Sequence, residues 1–215
     1  MRAAALRRHE IAAVRRQEAV MKRSRDRQGR AALFEDLEIE GLKLVTPKKF
    51  GDERGFFCET HNAATWEKAG LHYQCAQDNH SLSRDVGTVR GLHYQTAPFA
   101  QDKLVRVVRG RILDVAVDPR RSSPTFGGHV AVALSRENWR QLFIPVGFAH
   151  GFVTLKPDTE VLYKVTNFYS PGHDFGLAWD DPDLGVDWPV APERATLSAR
   201  DRQWPRLRDL AEVFP

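Results

Sequence analysis

Cysteine is scarce in this chain, with two in 215 residues. Cys58 and Cys75 are too few for a disulfide framework and lack the spacing of metal ligands. They are expected to be reduced, buried thiols of a cytoplasmic protein. Long apolar runs are missing too. None approaches the roughly 18 consecutive residues that a membrane-spanning helix needs, so no membrane partner is expected. No glycine-rich loop follows a strand and opens a helix, which excludes a Rossmann or P-loop nucleotide site. Internal repeats and a second domain are absent as well.

A net positive charge is also missing from most of the chain, although the formal total is +4. Residues 1–30 hold ten of the 32 Lys and Arg and three of the 28 Asp and Glu, a net of +7, which leaves −3 for the rest. This basic segment has no aromatic residue to stack on a base, so a nucleic-acid partner is not expected. It is Arg- and Ala-rich like a targeting peptide, but it carries acids and no apolar h-region. The division is a basic extension over 1–32 and one domain over 33–215. A content of 42% hydrophobic and 28% charged residues is enough for that domain to build a substantial core.

Beyond residue 35 the pattern is mainly β. Short strand-like runs cover Gly41–Val45, Gly55–Glu59, Gln74–Ser83, Gly128–Leu134, Gln141–Ile144, Phe152–Leu155 and Glu160–Val165. Lys103–Val108 and Arg111–Val117 flank Arg109-Gly110 and read as a hairpin. One helix is expected over Asn62–Ala69, with Asn62 as N-cap and Gly70 as the stop. Many short strands punctuated by Gly and Pro indicate an antiparallel sandwich, barrel or jelly roll. Asp180-Asp181-Pro182-Asp183 opens a loop-rich tail, with Trp188 and Trp204 as its aromatic anchors.

Two histidines stand inside apolar strand-like runs, His93 in Arg90-Gly91-Leu92-His93-Tyr94-Gln95 and His150 in Pro145-Val146-Gly147-Phe148-Ala149-His150-Gly151-Phe152. A histidine titrates near neutral pH, so each could carry a proton, ligate a metal, or be an inert core residue. Pro145-x-Gly147-x-x-His150 resembles the second motif of the cupins, but the first supplies His93 alone. A catalytic metal normally has three protein ligands, and the third is not evident. Arg90 and His93 would point to opposite faces of a regular strand unless Gly91 bulges the chain.

Taken in order, seven fragments resemble the dTDP-4-dehydrorhamnose 3,5-epimerases, cupin-like jelly-roll enzymes. They are Asp52-Glu53-Arg54-Gly55-x-Phe57-x-Glu59, Gln77-Asp78-Asn79-His80-Ser81, Arg90-Gly91-Leu92-His93, Gln101-x-Lys103-Leu104-Val105, the His150 run, Tyr163-Lys164 with Tyr169, and Leu197-Ser198-x-Arg200-Asp201. The resemblance spans about Leu37 to Leu210. It implies inversion of C3 and C5 of dTDP-4-dehydro-6-deoxy-D-glucose, with no metal or cofactor. A relative that inverts only one of the two carbons is the first alternative, and a metal-dependent cupin oxygenase the second.

The same resemblance implies the roles. His93 is the base, Asp201 its orienting carboxylate, Tyr163 the proton donor, and Lys103 the cation at the enolate oxygen. Arg90 meets the diphosphate, Arg200 contacts substrate, and Tyr169 stacks on the thymine. Gln77, Asn79, His150 and Asp174 contact substrate. Arg54 and Glu59 come from a neighbouring subunit, which implies a homodimer. Phe168 stands where the family often has a second tyrosine, and Asp174 where it often has glutamate.

Overall fold

The structure is a computed structural model, and it describes residues 32–210 and Phe214. The basic extension lies outside the described residues, apart from Ala32 in the first strand. Among the described residues no helix is long and apolar enough to cross a membrane.

Thirteen strands are found among the described residues. They are β1 (Ala32–Asp36), β2 (Lys43–Pro47), β3 (Lys49–Asp52), β4 (Gly55–Cys58), β5 (Gln77–Ser83), β6 (Val89–Gln95), β7 (Lys103–Arg109), β8 (Arg111–Val117), β9 (His129–Ser135), β10 (Gln141–Ile144), β11 (Ala149–Thr154), β12 (Thr159–Val165) and β13 (Asp174–Gly176). One sheet has the order β1-β2-β10-β7-β12-β5 and the facing sheet β13-β6-β11-β8-β9, while β3 and β4 form a separate hairpin. Every pairing is antiparallel.

Side chains alternate across a strand, so each strand contributes one row to the space between the sheets. On β7 that row is Lys103, Val105, Val107, and on β8 it is Ile112, Asp114, Ala116. The apolar members pack with Leu44, Leu142, Ile144, Phe152 and Val161 into the inner core. The opposite row of β8, Leu113, Val115 and Val117, packs outward with Leu92 and Tyr94 against Leu177, Trp179 and Leu184 of the C-terminal loops. The five-stranded sheet is therefore buried on both faces, and its inner face keeps polar positions at one end for a site.

The expected hairpin over 103–117 does not form. β7 pairs with β10 and β12, whereas β8 pairs with β9 and β11. Arg109-Gly110 is a corner between sheets. Both strands bury their inner rows by lying face to face, which side-by-side pairing would not allow. Gly110 turns at φ +78, where a Cβ would come 2.2 Å from Thr159 Oγ1. The helix does form, as α1 (Ala63–Lys68), and the Asn62 side chain caps it by accepting from the Thr65 N–H at 3.2 Å. Neither cysteine is fully buried. Cys58 is half-buried at the end of the hairpin, and Cys75 is exposed on the irregular segment before β5.

Candidate active site

Strand register sets the two walls of a cleft at one end of the sandwich. On the six-stranded wall, Val165 pairs with both Gln77 and Lys103, and Tyr163 pairs with both Asn79 and Val105. Gln77, Asn79, Tyr163 and Lys103 thus lie on adjacent rows of one inward face. On the other wall, His150 pairs with His93 and Phe152 with Arg90. Three steps on β6 match two on β11, so one residue is extra at Gly91-Leu92. This bulge puts Arg90 and His93 on the same face. Gly91 makes the close approach possible, since a Cβ there would lie 2.6 Å from the His150 carbonyl oxygen.

The cleft has a volume of about 350 Å³ and is lined by Gln77, Asn79, His93, Gln95, Gln101, Lys103, Tyr163, Tyr169 and Asp174. His93 Nε2 meets Asp201 Oδ1 at 2.5 Å. The imidazole is 32% exposed and the carboxylate 6%, so the ring faces the cleft and its partner stands behind it. His93 Nδ1 has no hydrogen-bond partner among the described residues. Burial acts to raise the Asp201 pKa, but hydrogen bonds from His93, Ser198 and Trp204 outweigh it and the net shift is downward. Asp201 is held as the anion, and a carboxylate behind an imidazole fixes the orientation of the ring.

Lys103 reaches across to donate to the His93 backbone oxygen at 3.1 Å. Burial pushes its ammonium down to about 8, with Asp174 and Asp114 opposing the shift. Burial also raises the Tyr163 phenol above its ordinary value, while the positive charge of Arg90 acts the other way. The Tyr163 hydroxyl has no hydrogen-bond partner among the described residues.

At the mouth, Arg200 Nη1 donates to Asp174 Oδ2 at 2.7 Å and to the Tyr169 hydroxyl at 3.3 Å. Gln77 accepts from the Tyr169 N–H at 3.0 Å and donates to Asn79 Oδ1 at 2.8 Å. Arg90 lies beside the cleft. It donates to Ser83 Oγ at 3.1 Å and to the Leu82 carbonyl oxygen at 3.2 Å, and it meets no carboxylate among the described residues.

The arrangement places an imidazole and its carboxylate on one wall, and a phenol and an ammonium on the other. The family model for dTDP-4-dehydrorhamnose 3,5-epimerase matches residues 36–209. The chain belongs to the dTDP-4-dehydrorhamnose 3,5-epimerase family. A relative of that name from Sinorhizobium fredii is 51% identical over 181 residues, covering 84% of this chain and 92% of the relative. The crystal structure of the Bacillus anthracis enzyme, with TDP and pyrophosphate bound, is 46% identical with TM-score 0.79, covering 82% of this chain and 99% of that one. The Legionella pneumophila epimerase in complex with dTDP-4-keto-L-rhamnose is 44% identical with TM-score 0.81, covering 86% and 97%. The protein is thus an isomerase, and the cupin-like jelly-roll expectation is borne out.

In this epimerase not every residue singled out in the sequence lines the cleft. His150 is buried behind His93, with Nε2 2.8 Å from Asp114 Oδ1. The two histidines are neighbours across the ladder, yet each Nε2 is taken by a different carboxylate. Arg54 sits in the turn of the β3–β4 hairpin, bonded to Asp52, and Glu59 follows that hairpin. Neither lines the cleft.

Sequence reasoning gave no site role to Gln95, Gln101 or Trp204. Gln95 donates to the Phe99 carbonyl oxygen at 2.6 Å and accepts from the Ser170 N–H at 2.8 Å, so it fixes the loops at the rim. Gln101 donates to the Asn167 carbonyl oxygen at 2.7 Å. Gln95 was legible in principle, being two residues after His93 and therefore on the same face. Trp204 carried no such signal.

Proposed function

We propose that His93 takes the protons from C3 and C5 of dTDP-4-dehydro-6-deoxy-D-glucose and that Tyr163 returns a proton to each carbon from the other side, giving dTDP-4-dehydro-L-rhamnose. The carrying observation is that His93 stands on one sheet while Tyr163 and Lys103 stand on the other, all three lining one cleft. A planar enolate held between the sheets has the base at one face and the phenol at the other. The C–H bond breaks toward the imidazole and the electron pair moves onto the C4 oxygen. Lys103 offers its charge there, which offsets the weak acidity of a carbon α to a ketone. Base, donor and cation are all side chains, so these steps call on no metal or cofactor.

The nucleotide end follows from the mouth. Tyr169, half exposed, presents a ring for the thymine, and Arg200 and Arg90 supply charge for the diphosphate. Gln77, Asn79 and Asp174 face the sugar from the cleft wall. His150 supports the site from behind, where its imidazole stays paired with Asp114.

The test is proton NMR of the dTDP-4-keto-6-deoxy sugar incubated in deuterated water. The wild type is expected to incorporate deuterium at both C3 and C5, and incorporation at one carbon only would mark a single-carbon epimerase. Tyr163→Phe is expected to keep solvent exchange but to lose about 10²-fold or more in formation of the inverted product. Unchanged product formation in that variant removes Tyr163 from the donor role.

Arg54 and Glu59 are assigned to the cleft of a second copy of the chain. The hairpin that carries them stands apart from both sheets and exposes Phe56 at 55% and Phe57 at 69%, an apolar surface suited to a protein partner. Sedimentation equilibrium is expected to give twice the chain mass of 24.4 kDa. A monomer that is fully active at the assay concentration contradicts the assignment.

A further inference from the structure

Trp204 touches both halves of the site without lining the cleft. Its Nε1–H donates to Asp201 Oδ1 at 3.3 Å, the same oxygen that meets His93 Nε2 at 2.5 Å. Its ring stands edge-on to the His93 imidazole, with centroids 6.1 Å apart and planes at 72°. One face of the indole carries the Arg200 guanidinium 4.8 Å away. That same guanidinium holds Asp174 and the Tyr169 hydroxyl.

The fold makes room for this contact. Gly176 pairs with His93 in the β6–β13 ladder. A Cβ at Gly176 would fall 2.6 Å from Trp204 Nε1 and 2.5 Å from the Leu92 carbonyl oxygen. The strand lacks a side chain where the indole crosses it. The Ala178 N–H donates to the Pro205 carbonyl oxygen at 2.8 Å, which ties the segment after Trp204 to the chain leaving β13. Trp204 is therefore packed between a catalytic dyad and the cation at the mouth, and is more than an anchor for the tail.

We propose that Trp204 is a positioning residue, which fixes the Asp201 carboxylate through its indole N–H and thereby sets the orientation of the His93 ring for proton abstraction. The inference rests on His93 being the base. Ser198 also bonds the Asp201 carboxylate, but the indole N–H is the donor that shares Oδ1 with the imidazole and so limits rotation of the oxygen that faces the ring. The contact gains from the charge of its acceptor. The indole face can also stack beneath Arg200, but that contact bears on binding of the substrate and not on the dyad.

The deciding variant is Trp204→Phe, which keeps a ring against His93 and Arg200 and deletes the donor. Loss of a hydrogen bond to a charged group is expected to lower kcat about tenfold. Solvent-deuterium exchange at C3 and C5 is expected to slow by the same factor, with KM and dTDP affinity unchanged. Unchanged kcat overturns the proposal, and so does a raised KM at unchanged kcat, which would assign Trp204 to Arg200 alone. Incorporation of benzothienylalanine at 204 gives the same shape without the N–H, and is read the same way should the phenylalanine variant not fold. His93→Asn is assayed alongside. Full turnover in that variant means the base assignment itself has failed, whereas an inactive His93→Asn with an unaffected Trp204→Phe rejects only the role of Trp204.

Discussion

His93→Asn is expected to lower kcat by roughly 10²- to 10⁴-fold, the span that a positioned general base supplies. Asparagine preserves a polar side chain beside Asp201 but has no nitrogen that can accept a proton near neutral pH. The loss falls on the chemical step. In the proposed reading Tyr169, Arg200 and Arg90 meet the nucleotide and His93 does not, so dTDP is expected to bind the variant as it binds the wild type. Exchange of the C3 and C5 protons with deuterated water should vanish together with turnover. The assignment of the base fails if that exchange persists at the wild-type rate while the variant is folded and binds dTDP.

Lys103→Met is expected to cost about 10²- to 10³-fold in kcat, the usual consequence of removing one preorganised charge or donor from a developing oxyanion. The wild type carries a second signature of the same group. Burial lowers the Lys103 ammonium to about 8, so the charge is present below that pH and is lost as pH rises through it. kcat/KM is therefore expected to fall on the alkaline side with an apparent pKa about 8. Tyr163 does not account for such a limb, because burial moves its phenol upward and keeps it protonated over this range. A profile that stays flat well above pH 8, or a methionine variant with near-normal turnover, removes Lys103 from the reaction. Any residual activity of the variant should lack the alkaline limb.

Much of the architecture could be read from residue order. Apolar runs over Lys103–Val108 and Arg111–Val117 mark strands, and the Asn62 cap marks the start of the helix. The motifs around His93, Lys103, Tyr163 and Asp201 point to proton transfer through the family they resemble, and each residue type suits one part of it. Their assembly was not legible in the same way. His93 and Asp201 are 108 positions apart and meet at 2.5 Å, a contact that depends on how the C-terminal loops fold back over the five-stranded sheet.

The misread hairpin and the missed tryptophan have a common cause. Arg109-Gly110 permits a tight turn, but a turn does not specify whether the next strand pairs beside β7 or crosses to the facing sheet. That choice follows from burying two inner rows at once, a property of the whole sandwich. Trp204 reads as a tail anchor until Gly176, opposite His93, is seen to leave space for the indole. Apolar runs, turn chemistry and residue type are properties of short segments, so the order of residues alone set the mainly β class and the chemical parts. Which walls face each other, which carboxylate backs which histidine, and the one-residue bulge that turns Arg90 and His93 to the same side depend on long-range packing. Only the folded sandwich decides those.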